Sequence, residues 1–131
     1  MKTEFIIRRR RVMSAANYLI KHNPVILRGA ALTKKGALQY AWYFENLREK
    51  MSTGIYRFSF FKLDGHIREA RGTLCMDLIP DENHPKSGLD PEAVAPVSTF
   101  AYYDLDKQGW RSFRLDNFIG FVQKEKEKNQ K

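Results

Sequence analysis

Residues 55 to 74 read IYRFSFFKLDGHIREARGTL, two stretches of β-forming residues joined through Leu63, Asp64 and Gly65, and they restrict the fold more than any other part of the chain. A three-residue loop with Gly65 in the left-handed conformation sets Tyr56 opposite Gly72, Phe58 opposite Ala70 and Phe60 opposite Arg68, which makes one side largely apolar. The other side then carries Arg57, Ser59, Glu69 and Arg71. A two-residue Asp-Gly turn would pair Phe60 with Glu69 and Phe58 with Arg71, mixing core with surface, so the bulged register is the expected one. It places Arg57 and Arg71 against each other on the outer face, where like charges are unfavourable unless something anionic relieves them. Two readings of that pair stand side by side: a bound anion bridges it, or Glu69 and solvent handle it.

Beyond Leu78, Ile79 and Pro80 runs DENHPKSGLDPEAVAP, too rich in proline, glycine and charge for a buried core, and a flexible insertion is expected over 80–96. Strand character resumes from Val97 to Asp104, a turn follows over Leu105 to Gly109, and Trp110 to Leu115 alternates. Phe113 and Leu115 face one way; Trp110, Ser112 and Arg114 face the other. Two hairpins around an irregular loop predict a small closed antiparallel barrel of the Sm or SH3 kind over 54–122. The charged residues 123–131 form a tail, and Lys124 to Lys131 reads as a frayed helix end.

Two helices are expected in residues 1–53. The first runs from about Arg9 to His22, with Val12, Ala16, Leu19 and Ile20 on one side, and Asn23-Pro24 ends it. The second starts at an N-cap, Thr33, repeats Ala37, Tyr40, Ala41, Phe44, Leu47 and Met51 at helical spacing, and stops at Gly54. The ten or so residues between them are too many for a helix-turn-helix, and Val25, Ile26 and Leu27 suggest an extra strand. The fold class is therefore α+β, with basic N-terminal helices packed on or beside the barrel.

Charge is distributed unevenly. Residues 1–50 hold 11 Lys or Arg against 3 Asp or Glu, whereas residues 51–131 hold 12 of each, so the whole net charge of +8 lies in the first third. A polyanion would dock there. The run Arg8, Arg9, Arg10 and Arg11 reads at its plainest as a solvated helix face or a disordered arm, but four consecutive guanidiniums form a self-repelling block, and arginine in place of lysine favours phosphate or carboxylate. Trp110 beside Arg111 and Arg114 combines a ring with cations, a pairing that suits bases and phosphates, and Arg57 with Arg71 offers a second cationic pair. The alternative for Trp110 is that it covers the barrel or packs on the helices. The expected partner is nucleic acid or a nucleotide, with an acidic protein surface as the alternative; exposed strand edges also leave room for a homodimer.

Other classes are set aside. No apolar run approaches the length that crosses a bilayer, and the basic N-terminal segment is not a secretion signal, so a cytoplasmic protein without membrane contact is expected. Cys75 is the single cysteine and reads as a small apolar residue at a strand end. His22, His66 and His84 lack metal-ligand spacing, and His84 has no obvious partner. Asp64, Asp104 and Asp116 are better explained as turn and cap residues than as catalysts. We expect no enzyme, no cofactor and no metal.

KLDGHIREARGTL at 62–74, YYDLDKQGWRSF at 102–113 and FRLDNFI at 113–119 resemble the WYL-like group of Sm-like SH3 β-barrel proteins, in the domain-of-unknown-function branch found in Bacteroidales and their phages and mobile elements. Arg111, Ser112, Phe113, Arg114, Leu115 and Asp116 match the group's Arg-x-Phe-Arg-Leu-Asp-Arg-Ile signature, and Asn117 stands where its last arginine would be. The resemblance implies the barrel fold and a regulatory module that binds nucleic acid or nucleotides, with Arg111 and Arg114 as the contacts.

Overall fold

The central hairpin forms in the register that its alternation requires. In a computed structural model that describes residues 2–85 and 97–125, Ile55–Phe61 (β1) pairs with Ile67–Thr73 (β2), and Tyr56 opposes Gly72, Phe58 opposes Ala70, and Phe60 opposes Arg68. Gly65 has φ +89°, and the Asp64 carboxylate accepts the His66 N–H at 3.0 Å, so the loop closes as the three-residue turn.

Thr99–Asp104 (β3), Gly109–Arg114 (β4) and Phe118–Lys124 (β5) complete an antiparallel sheet of order β4-β3-β2-β1-β5. The expected closed barrel is corrected in one respect: β4 and β5 are the two ends of the hydrogen-bonded sheet, and side chains close it, with Phe113 stacked on Phe118 at 5.3 Å. A 3-10 turn, Leu115–Asn117, carries the chain from one edge to the other. β5 reaches Lys124, and the Glu125 N–H donates to Ile55 O at 2.8 Å, so strand pairing extends past the boundary expected at 122. Lys124 therefore belongs to a strand, and the rest of the expected tail, 126–131, lies outside the described residues.

Lys2–Lys21 (α1) begins earlier than the sequence suggests, and Lys34–Met51 (α2) starts where its cap predicts, with Thr33 Oγ1 accepting the Gly36 N–H at 3.0 Å. α2 ends at Met51 with Ser52 in the right-handed conformation, so Gly54 is not its left-handed stop. Val25–Leu27 is a short 3-10 turn where an extra strand was conceivable. Val12, Ala15, Ala16 and Leu19 of α1 are buried, as are Ala37, Ala41, Phe44 and Leu47 of α2; the alanines let the two helices approach closely. Of the insertion expected over 80–96, residues 80–85 are ordered by a 3-10 turn, Asp81–Asn83, and 86–96 lie outside the described residues.

The helices and the barrel share one core. Phe113 is its centre, with the rings of Phe60, Phe100, Phe118 and Phe58 at 5.1, 5.2, 5.3 and 5.6 Å, and Phe44 from α2 at 6.2 Å. Such ring clusters add specific packing to the area they bury. Gly72 is the tightest point: a Cβ there would lie 2.6 Å from Tyr102 Cδ2 and 3.1 Å from Phe58 Cε1. Gly72→Ala is accordingly expected to lower unfolding free energy by about 1 to 3 kcal/mol, measured by urea titration, because two core rings must move.

Candidate nucleic-acid interface

Most of the cations singled out from the sequence hold the protein together. Arg11 Nε and Nη2 donate to Glu45 at 2.7 and 2.8 Å, and Arg48 Nη1 donates to the same carboxylate at 2.8 Å. Arg8 lies 3.5 Å from Glu45 and 3.2 Å from Glu49, with its guanidinium 6.0 Å from the Trp42 ring centre. Burial alone would push the Glu45 carboxyl up, but the three guanidiniums prevail and hold it below the usual glutamate range. Only Arg9 and Arg10 of the run face solvent, so it is not a four-residue phosphate clamp.

The other pairs are treated similarly. Arg57 and Arg71 do oppose each other, and the bridging anion is internal: Glu125 accepts from Arg71 Nε and Nη2 at 2.7 and 2.6 Å and lies 3.4 Å from Arg57 Nε. Asp106 takes Arg71 Nη1 at 2.9 Å, while Glu69 reaches Arg57 only at 3.8 Å. Trp110 is half-buried; its Nε1–H donates to Asn83 O at 2.6 Å and its ring meets Tyr103 edge-on at 5.9 Å. These contacts tie it to the 75–85 segment and to β3. His84, expected to be unpartnered, reaches the carbonyls of Met76 and Ile79 at 3.0 and 2.8 Å; two acceptors require the proton on Nε2. Arg114 donates to Asp116 at 3.1 Å and to Tyr18 Oη at 3.2 Å, while Tyr18 donates to Asp116 at 2.6 Å, tying α1 to the last 3-10 turn.

Arg111 differs. It is exposed, and no carboxylate of the described residues pairs with it. It stands on the wall of an open hollow of about 590 Å³ between the tip of the first hairpin and β4, a size that ligand sites commonly have. Lys62, Arg68 and Arg114 add positive charge to the lining, Phe60, Tyr102 and Phe113 supply apolar surface, and Asp64 is the one acid among the lining residues. Arg68 is partly neutralised by the buried Asp104, whose other oxygen accepts the N–H groups of Asp106 and Lys107 at 3.0 and 2.9 Å and shapes the β3–β4 turn. Asp64, Asp104 and Asp116 thus all have structural partners.

The Tyr102 hydroxyl is fully buried and, among the described residues, makes no hydrogen bond of normal geometry. Asp104 is close enough to oppose its ionisation but is already occupied; burial is the main cause that raises the phenol, and Arg68 and Arg111 pull the other way. Tyr40, the other buried hydroxyl without a partner among the described residues, is pushed up to about 12 by burial and does not line the hollow. Sequence reasoning named Arg111 and Arg114 but missed Lys62, Arg68 and Tyr102. The signal for Arg68 was its register opposite Phe60, an arginine on an otherwise apolar face.

A family model described as WYL_2, Sm-like SH3 β-barrel fold, matches residues 44–119, and the chain belongs to this family. It is also similar, at 32% identity over 77 residues, to an uncharacterised 11.5 kDa protein from the Gp31-cd intergenic region of Enterobacteria phage T4, an alignment covering 57% of this chain and 72% of that protein. No solved structure matches at a significant level. No helix of the described residues is long and apolar enough to cross a membrane.

Proposed function

We propose that the protein is a non-catalytic, cytoplasmic binding module for nucleic acid or nucleotides, of phage or mobile-element association, and that the hollow beside Arg111 is its site. The observation that carries this reading is an exposed guanidinium, without a carboxylate partner among the described residues, over a hollow with an apolar lining. Rings beside cations suit bases joined by phosphates. Arg111 and Lys62 hold phosphate, and Phe60 and Phe113 line the space for a base.

Fluorescence anisotropy with labelled single-stranded DNA, single-stranded RNA and duplex DNA tests it. Arg111→Glu is expected to weaken binding about 10- to 100-fold, as loss of a charge-assisted contact does, and to flatten the salt dependence by about one counterion. Tyr102→Phe is expected to leave binding and thermal stability unchanged or to raise stability, because it removes a buried hydroxyl that has no partner among the described residues and that the hollow does not expose. Absence of binding at low salt, or equal binding by wild type and Arg111→Glu, would overturn the proposal.

A second reading, a small interaction factor that docks its basic helices on an acidic protein, draws support from α1, where Arg9 and Arg10 remain exposed after Arg8 and Arg11 have turned to Glu45.

A further inference from the structure

The inner face of α1 is spent on the fold: Val12, Ala15, Ala16 and Leu19 are buried, and Arg8 and Arg11 reach the acids of α2. Its outer face is not. Ile6, Met13 and Ile20 are 50%, 46% and 40% exposed, and their seven-residue spacing aligns them along one line of the helix. At about 100° per residue, Arg9 falls on one side of that line and Arg10 and Lys21 on the other, all three exposed. From Phe5 to His22 the sequence contains no Asp or Glu. The result is a narrow apolar seam between cationic margins, about 20 Å long by helical rise.

We propose that this seam docks an acidic amphipathic helix of a partner protein, with one apolar residue per heptad on the seam and Glu or Asp on its flanks. Charge complementarity selects that occupant. A second copy of the chain would bring cationic margins against cationic margins, with no Asp or Glu between Phe5 and His22 of either copy to relieve them. An interfacial membrane helix needs a broad continuous apolar face, whereas here Ile6, Met13 and Ile20 form one line and Ile7, also exposed, stands off it beyond Arg10. Phosphate recognition would leave the isoleucines and the methionine without a role. The site is separate from the hollow beside Arg111, so the two proposals stand or fall independently.

The test uses the full chain and labelled three-heptad helical peptides with a leucine seam, one flanked by glutamates and a twin flanked by lysines. The glutamate peptide is expected to bind at least about tenfold more tightly than its twin, the direction that complementary interfacial charge dictates. Met13→Asp should abolish that binding without loss of helicity, since Met13 is exposed; Arg9→Glu with Arg10→Glu should reverse the preference; Arg111→Glu should leave it unchanged. Equal binding of the two peptides, no binding of either, self-association removed by Met13→Asp, or preference for anionic vesicles over the glutamate peptide would each overturn the proposal.

Discussion

Replacing Glu45 with alanine is expected to lower unfolding free energy by about 3 to 5 kcal/mol, the cost of leaving buried charge uncompensated. The carboxylate is 3% exposed and receives Arg11 and Arg48 directly, with Arg8 at 3.5 Å. Arg48 is itself buried, its guanidinium 4.7 Å from the Phe100 ring centre and its Nη2 donating to Thr99 O at 3.3 Å, so it cannot swing out to water without giving up these contacts. Exchanging the Arg11 and Glu45 pair together for methionine and leucine should recover part of the loss, because a packed apolar pair incurs no desolvation penalty. Chemical denaturation of the single and paired variants measures both effects. The sign with pH follows from the lowered carboxyl: its contribution is complete above the unfolded glutamate value of about 4.3 and disappears as pH falls through the lower folded value. Stability should therefore decline on the acid side, and in Glu45→Ala this part of the decline should vanish.

Replacing Phe113 with alanine is expected to cost a comparable amount, about 3 to 5 kcal/mol. Its ring lies between the two hairpins, α2 and β5, in contact with Phe60, Phe100, Phe118 and Phe58. Because no hydrogen-bonded ladder joins β4 to β5, the stacking of Phe113 on Phe118 is what closes the barrel across that gap. Phe113→Leu, which keeps more of the volume, should lose less. A thermal melt that shows Phe113→Ala as stable as wild type would mean that the two edges are held by something other than these rings.

The first hairpin was legible because strand side chains alternate strictly: only one register keeps Phe58 and Phe60 opposite Ala70 and Arg68 and away from Glu69 and Arg71. α2 was legible because Thr33 and the run from Ala37 to Met51 state their roles locally. The arginine run was not. Arg8 and Arg11 share the face of α1 that holds Val12 and Ala15, while Arg9 and Arg10 turn away; helical phase could separate them, but their partners Glu45 and Glu49 lie over thirty residues further on. Trp110 likewise bonds a main-chain carbonyl at Asn83, an acceptor that any residue could supply and no composition announces. Glu125, which relieves Arg57 and Arg71, came from a stretch that reads as tail because its acids and lysines alternate. The candidate site was half legible: Arg111 through the signature it shares with the family, Lys62 not at all, since a lysine at a hairpin tip reads as solvated surface until β4 is found across the hollow from it.

The central claim is that the hollow beside Arg111 binds nucleic acid, and amide chemical-shift mapping during titration with a short single-stranded oligonucleotide tests it most directly. The predicted result is a contiguous set of shifts over Lys62 to Arg68, Thr99 to Tyr102 and Arg111 to Asn117, with α1 little changed and the effect lost in Arg111→Glu. Shifts confined to Ile6 through Ile20, or none anywhere, would contradict it.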